Sequence, residues 1–219
     1  LLRILLTFGT LNDLANDMRH LQRQEIGEVY EAFGPGQVGS STMPHKRNPV
    51  SFENVCGQYR EMLGESVSVL ANIESEHQRD MRNSAPQRYH VPEIIGAFIY
   101  SVRNMNRLIS SIEVDEDAMQ RNLDLTRGAF YAEPAYIALA LAGDPDAHEH
   151  MKKLTARKGA PFSDITASDE TLRSAIERIP LPARRVFEKP EFYTGKSEEQ
   201  VIRVTKYWTD RLQELMRTL

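Results

Sequence analysis

The chain has 219 residues, enough for one large domain or two small ones and for a sizeable buried core. Its 27 basic and 31 acidic residues leave a formal charge of -4, which excludes a bulk nucleic-acid or polyanion binder. A single cysteine, Cys56, excludes an internal disulfide framework and fits a reducing compartment, and no stretch approaches the roughly 20 apolar residues a membrane helix needs.

The Leu-rich start, Leu1 to Leu6, carries Arg3 and lacks a small-residue cleavage pattern, so it does not read as a signal peptide. It begins without Met and in mid-pattern, as expected of a truncated chain. Leu11, Leu14, Met18 and Leu21 then recur at spacings of three and four and predict a first long helix. A second follows with Val55, Tyr59, Met62, Ser66, Val69 and Ile73 on one seam and Phe52, Cys56, Leu63, Val67 and Leu70 on another. Two apolar faces place this helix mid-bundle or at a subunit interface, and the neighbours of Cys56 predict a packed thiol. The third and most regular pattern is Val91, Ile95, Phe98, Val102, Met105, Ile109 and Ile112.

After residue 112 the texture changes to shorter helical segments, roughly 129–142, 145–157 and 168–177. They are separated by Gly143-Asp144-Pro145, Gly159-Ala160-Pro161 and Pro180-Leu181-Pro182. The last helix opens with the capping-box spacing Ser197-Glu198-Glu199-Gln200 and repeats Val201, Val204, Trp208, Leu212, Leu215 and Leu219. No segment alternates with period two, so no sheet is expected. The expected organisation is all-α, with residues 1–112 forming part of a long-helix bundle and residues 113–219 a smaller C-terminal helical domain.

Between the first two long helices runs the loop 34–49, Gly34-Pro35-Gly36-Gln37-Val38-Gly39-Ser40-Ser41-Thr42-Met43-Pro44-His45-Lys46-Arg47-Asn48-Pro49. Helix–helix connections in bundles usually take about 2–8 residues, and longer loops are often functional. It is not a phosphate-binding P-loop, because Ser40 stands at the lysine position and no strand precedes it. At its exit, Asn48 is placed to cap the next helix and Pro49 to open its first turn. Lys46 and Asn48 beside that positive helix end would make a carboxylate cradle.

The run Gly39-Ser40-Ser41-Thr42-Met43-Pro44-His45-Lys46-Arg47-Asn48-Pro49 resembles the signature sequence of the fumarase/aspartase superfamily. The resemblance implies a central helical bundle, homotetrameric assembly, and active sites each drawing residues from three subunits. With His45 the loop is most similar to that of adenylosuccinate lyases, and also to that of carboxymuconate cycloisomerases. Further on, His77-Gln78-Arg79-Asp80 matches the adenylosuccinate lyase pattern except that Gln78 replaces Glu. Arg79, Ser84 and Arg88 fall where that family holds the nucleotide, a set of charges suited to a phosphate. Ala85 and Gln87 are further departures from that pattern, and Tyr193 with Gly195 resembles the cycloisomerase branch.

The resemblance also assigns roles. Ser40 would be the base that takes a proton next to a substrate carboxylate. Lys46 would stabilise the charge that develops, and Ser41, Met43 and Asn48 would contact the substrate. Glu53 would support an acid histidine supplied by another subunit. The implied reaction releases fumarate from a succinyl-amino purine nucleotide in cytoplasmic purine biosynthesis, with no cofactor and no metal. None of the six histidines matches the acid, so the isolated chain is expected to be inactive. His45 lies in the loop, and His20, His148 and His150 read as surface residues. His77 could orient the arginines, and His90 has no assigned role. A structural helical-bundle protein is the competing class, against which the joint presence of Ser40, Lys46, Asn48 and Glu53 argues.

Overall fold

The computed structural model describes residues 1–32, 47–156 and 160–218. Three long helices dominate the first half: α1 (Leu2–Leu21), α2 (Val50–Ala71) and α3 (Met81–Ser110). They pack on one another around Leu5, Phe8, Ala15, Phe52, Val55, Cys56, Met62, Ile94, Met105 and Leu108. Phe8, fully enclosed, meets Tyr59 and Phe98 edge-on at centroid distances of 5.5 and 5.7 Å. A phenylalanine buried in this way contributes about 1.5–3 kcal/mol relative to exposure.

The inward stripes differ from those expected. On α3 the buried residues are Asn83, His90, Ile94, Ser101, Met105 and Leu108, so most of the seam lies one position before the predicted one. Val91, Val102 and Ile109 are exposed. Three polar side chains within the true stripe, Asn83, His90 and Ser101, hid it from a pattern of apolar spacing. On α1 the buried positions are Leu5, Phe8 and Ala15, with Leu11 and Met18 beside them and Leu14 exposed. On α2, Phe52 and Cys56 of the second stripe are buried, whereas Leu63, Val67 and Leu70 face outward.

The connections between the long helices also differ from the expected pattern. α2 stops at Ala71, and the segment from His77 to Arg88 forms the approach to α3 and its first turns. Asp80 caps α3 by accepting the Arg82 N–H at 2.8 Å, and Asn83 Oδ1 accepts in return from the Asp80 N–H. That box starts the helix early enough to carry Pro86 and Pro92 inside it. One small sheet also exists: β1 (Val29–Tyr30) pairs antiparallel with β2 (Glu113–Val114). Two-residue strands are too short to show period-two alternation. Gly27, at φ +64°, makes the turn into β1 and lies so close to the Tyr30 hydroxyl that a Cβ would collide with it.

The chain divides into two units, Leu1–Asn122 and Leu123–Leu219, the division falling within α4 (Glu116–Leu125). In the second unit α5 (Ala132–Leu141), α6 (Ala147–Thr155), α7 (Phe162–Ser168) and α8 (Glu170–Glu177) enclose Ala138, Leu139, Met151, Ile165 and Leu172. The short α9 (Leu181–Arg184) begins at the Pro180-Leu181-Pro182 signal. The last helix, α10 (Ser197–Thr218), has no buried residue, so Val201, Val204, Trp208, Leu212 and Leu215 are all exposed. Its predicted capping box does not form. Ser197 lies inside the helix and donates to the Thr194 carbonyl at 2.5 Å, while the Gln200 N–H goes to Lys196.

Candidate active site

The described exit of the signature loop opens α2. Pro49, not Asn48, is the N-cap, because the proline's fixed φ suits a helix start and the Asn48 carbonyl accepts the Val50 N–H at 2.9 Å. Glu53, the acidic residue of the first turn, is exposed, and its carboxylate is favoured at the positive end of the helix. Ser40, Ser41, Met43 and Lys46, with His45, lie outside the described residues.

A cleft of about 940 Å³ adjoins this helix start. Asn48, Pro49 and Glu53 line it, together with Arg19, His20 and Arg23 from the end of α1 and the turn beyond. Arg47, Tyr30, Asp115 and Glu25 also line it, with Gln22 and Gln24. The lining is of mixed charge with several guanidiniums, a surface able to receive an anion while keeping carboxylates at hand for proton traffic. His20 read as a plain helix-face residue in the sequence; the fold turns it toward the same cleft as Glu53.

Two buried residues that the sequence reading missed organise the base of the loop. Glu31 is only 1 % exposed, and its Oε1 accepts the Phe52 N–H at 2.8 Å, satisfying an amide of the first turn of α2. Gln22 is also buried: its Oε1 accepts the Glu31 N–H at 3.0 Å and its Nε2 donates to the Arg47 carbonyl at 3.2 Å. Arg47 is held in turn by Glu113 at 2.9 Å and by the ring of Tyr30 at 5.9 Å, its paired neighbours across β1 and β2. In sequence, Glu25, Glu28 and Glu31 look like one solvated acidic stripe, and nothing local marks the last as buried.

The second predicted cluster lies elsewhere. Arg79 and Arg88 are exposed, and neither has an ion-pair partner among the described residues. Arg82, between them, is engaged by Asp80 and Glu76. Ser84 and Arg88 are one turn apart on α3, and Ser84 Oγ donates to the Met81 sulfur at 3.4 Å. From Glu53 to the end of α2 the helix rises about 27 Å, so within one chain the cleft and the arginines are at opposite ends of the bundle.

The remaining candidates have clear surroundings. Cys56 is buried as expected, and burial pushes its thiol pKa up, so it is not poised for reaction. His90, also buried, bonds Glu65 at 3.2 Å through Nδ1, while its Nε2 has no partner among the described residues. His150 is no plain surface residue, since it bridges Asp144 at 2.7 Å and Asp169 at 3.0 Å. Among the described residues no group of three or more histidine, cysteine or acidic side chains could hold a metal ion. None of the described helices is long and apolar enough to cross a membrane.

Comparison with known proteins connects this architecture to a family. The chain is 36% identical over 206 residues to adenylosuccinate lyase of Pyrococcus horikoshii and 36% over 207 residues to that of Pyrococcus abyssi. Each match covers 92% of this chain but 45% of the relative, so the chain spans about half the length of the curated relatives it matches. Among solved structures, the 3-carboxy-cis,cis-muconate lactonizing enzyme from Pseudomonas putida superposes with a TM-score of 0.67 at 29% identity, over 91% of this chain and 45% of that one. A lyase family model matches residues 4–64, which take in most of α1, the signature run and most of α2. The model for the adenylosuccinate lyase C-terminal family matches residues 75–185, just over half of the chain, and the chain belongs to that family.

Proposed function

We propose that the protein to which this chain belongs is an adenylosuccinate lyase-like enzyme that eliminates fumarate from a succinyl-amino purine nucleotide. The observation that carries this reading is that Asn48, near the end of the signature run, and Glu53, in the first turn of α2, line one wall of an arginine-bearing cleft. Ser40 takes the proton from the succinyl carbon next to a carboxylate. Lys46 and Asn48 hold the negative charge that spreads onto that carboxylate, with Ser41 and Met43 contacting the substrate. The carbon–nitrogen bond then breaks, fumarate leaves, and the amine nitrogen takes a proton from a histidine that Glu53 supports. Serine is too weak a base unaided, so its proton transfer depends on neighbouring cations and exclusion of water.

Arg79, Ser84 and Arg88 bind the nucleotide phosphate. Their separation from Asn48 and Glu53 by the length of α2 means that one ligand cannot span both within a single subunit. Sites shared between subunits of a homotetramer reconcile the two, because antiparallel neighbours bring opposite helix ends together. No cofactor, metal, nucleic acid or membrane takes part, and the enzyme works in the cytoplasm.

A second reading is a 3-carboxy-cis,cis-muconate cycloisomerase-like reaction. The likeness to the Pseudomonas enzyme favours it, together with Gln78 and Ala85 at positions where adenylosuccinate lyases differ. The deciding measurement is fumarate release from adenylosuccinate by the whole natural polypeptide, followed by ultraviolet absorbance beside its Ser40→Ala variant. Turnover lost in the variant supports the lyase; no turnover from a folded tetramer transfers the assignment to the cycloisomerase. The 219-residue chain by itself is expected to give no turnover in this assay.

A further inference from the structure

The cleft wall is only as well placed as the first turn of α2, and that turn rests on a carboxyl from another part of the chain. Val29 and Glu31 alternate along the extended segment at β1 and are both buried on the bundle side. Glu31 Oε1 therefore meets the amide of Phe52, itself fully enclosed in the core. A buried acidic side chain at this helix end matches the positive end of the peptide dipoles. Pro49 offers no side-chain cap of its own. Gln22 completes the arrangement by binding the backbone on both sides, the N–H of Glu31 and the carbonyl of Arg47. Asn48 is the next residue after that carbonyl, and Glu53 is the next residue after Phe52.

We propose that Glu31, held by Gln22, is a positioning residue: it fixes the α2 N-terminus so that Asn48 and Glu53 stand in register with the reacting centre. This rests on the elimination proposed above. It differs from a plain fold-stabilising role in what it controls, namely the placement of two side chains by the one helix turn that carries them. Displacement of catalytic groups by about 1 Å can cost about 100-fold in rate.

The test compares Glu31→Ala, Glu31→Gln and Gln22→Ala in the whole natural polypeptide. Amide hydrogen exchange over residues 50–53 is measured against the centre of α2, together with kcat and KM on adenylosuccinate. Glu31→Ala is expected to speed exchange at Phe52 while leaving Met62 protected, and to lower kcat about 10- to 100-fold with a much smaller change in KM. Glu31→Gln keeps an oxygen acceptor and should recover most of kcat, with Gln22→Ala lying between. Unchanged exchange at Phe52, or faster exchange with unchanged kcat, would overturn the proposal, as would a Glu31→Gln variant as impaired as Glu31→Ala. Inactivity of the unaltered polypeptide on adenylosuccinate refutes the substrate reading, while exchange at Phe52 still judges the Glu31 anchor on its own.

Discussion

Arg79 and Arg88 stand exposed around the start of α3, while the neighbouring Arg82 is occupied by Asp80 and Glu76. An exposed guanidinium without a protein partner costs little to keep and is available to an anion, whereas an engaged one is not. If this pair takes the nucleotide phosphate, Arg88→Ala should raise KM about 10- to 100-fold with kcat nearly unchanged, the size of a charge-assisted hydrogen bond. The same substitution should have no effect on a substrate that lacks the phosphate. An equal penalty with and without the phosphate would assign Arg88 to another part of the ligand or to the fold. Arg47 gives the opposite case. Beside His45 and Lys46 it reads as part of a cationic run, but Glu113 and Tyr30 make it an anchor of the loop's exit.

At the scale of elements, the second unit carries a titratable clamp. His150 on α6 donates to Asp144, in the turn after α5, and to Asp169, the N-cap of α8. With both ring nitrogens donating, the imidazolium is favoured, and the hydrogen bond to Asp144, then that to Asp169, raises the His150 pKa. Asp144 is held below the usual carboxylate range, first by His150 and then by the Asp146 N–H. Burial pushes Asp169 upward, but the Leu172 N–H and His150 outweigh it and its pKa is lowered. The histidine's contribution is complete below its ordinary pKa of about 6.5 and is lost as pH rises through the raised value. The carboxylates contribute above about 3.9 and lose that contribution as pH falls through their lowered values. Stability against urea should therefore be greatest between these limits and decline on the alkaline side. In His150→Gln that decline should be absent; parallel pH profiles for the two proteins would show that the clamp adds nothing.

For the whole molecule, the outward face of α2 presents Leu63, Val67 and Leu70, with Val67 71 % exposed. A continuous apolar stripe on a long helix is costly to leave in water and suits burial against another copy. If the natural polypeptide forms a tetramer through this face, Val67→Lys should shift it to smaller species in sedimentation velocity and lower turnover in parallel, because shared sites come apart with the interface. A tetramer of undiminished mass would remove α2 from the interface.

Much of this protein is legible in the order of its residues. Heptad-like spacing over about 20 residues is enough to identify α1, α2 and α3, since a long helix must bury a stripe to be stable. The breakers at Gly143 and at Pro180 mark real ends of elements for a backbone reason that needs no tertiary contact. The signature run and Glu53 were identifiable through their resemblance to a family sequence, which is carried by residue order along one loop and one helix turn.

Which face of each helix turns inward was decided only by packing, and on α3 most of the core stripe sits one residue from the apolar pattern because His90 and Ser101 belong to it. The burial of Glu31, the bridging by Gln22, the pairing of Arg47 with Glu113 and the entry of His20 into the cleft all join residues far apart in the chain. The sequence by itself determined the long helices and the chemical groups they carry. The tertiary structure decided which of those groups stand together, because a side chain's partner depends on where the backbone returns, and local spacing does not encode that.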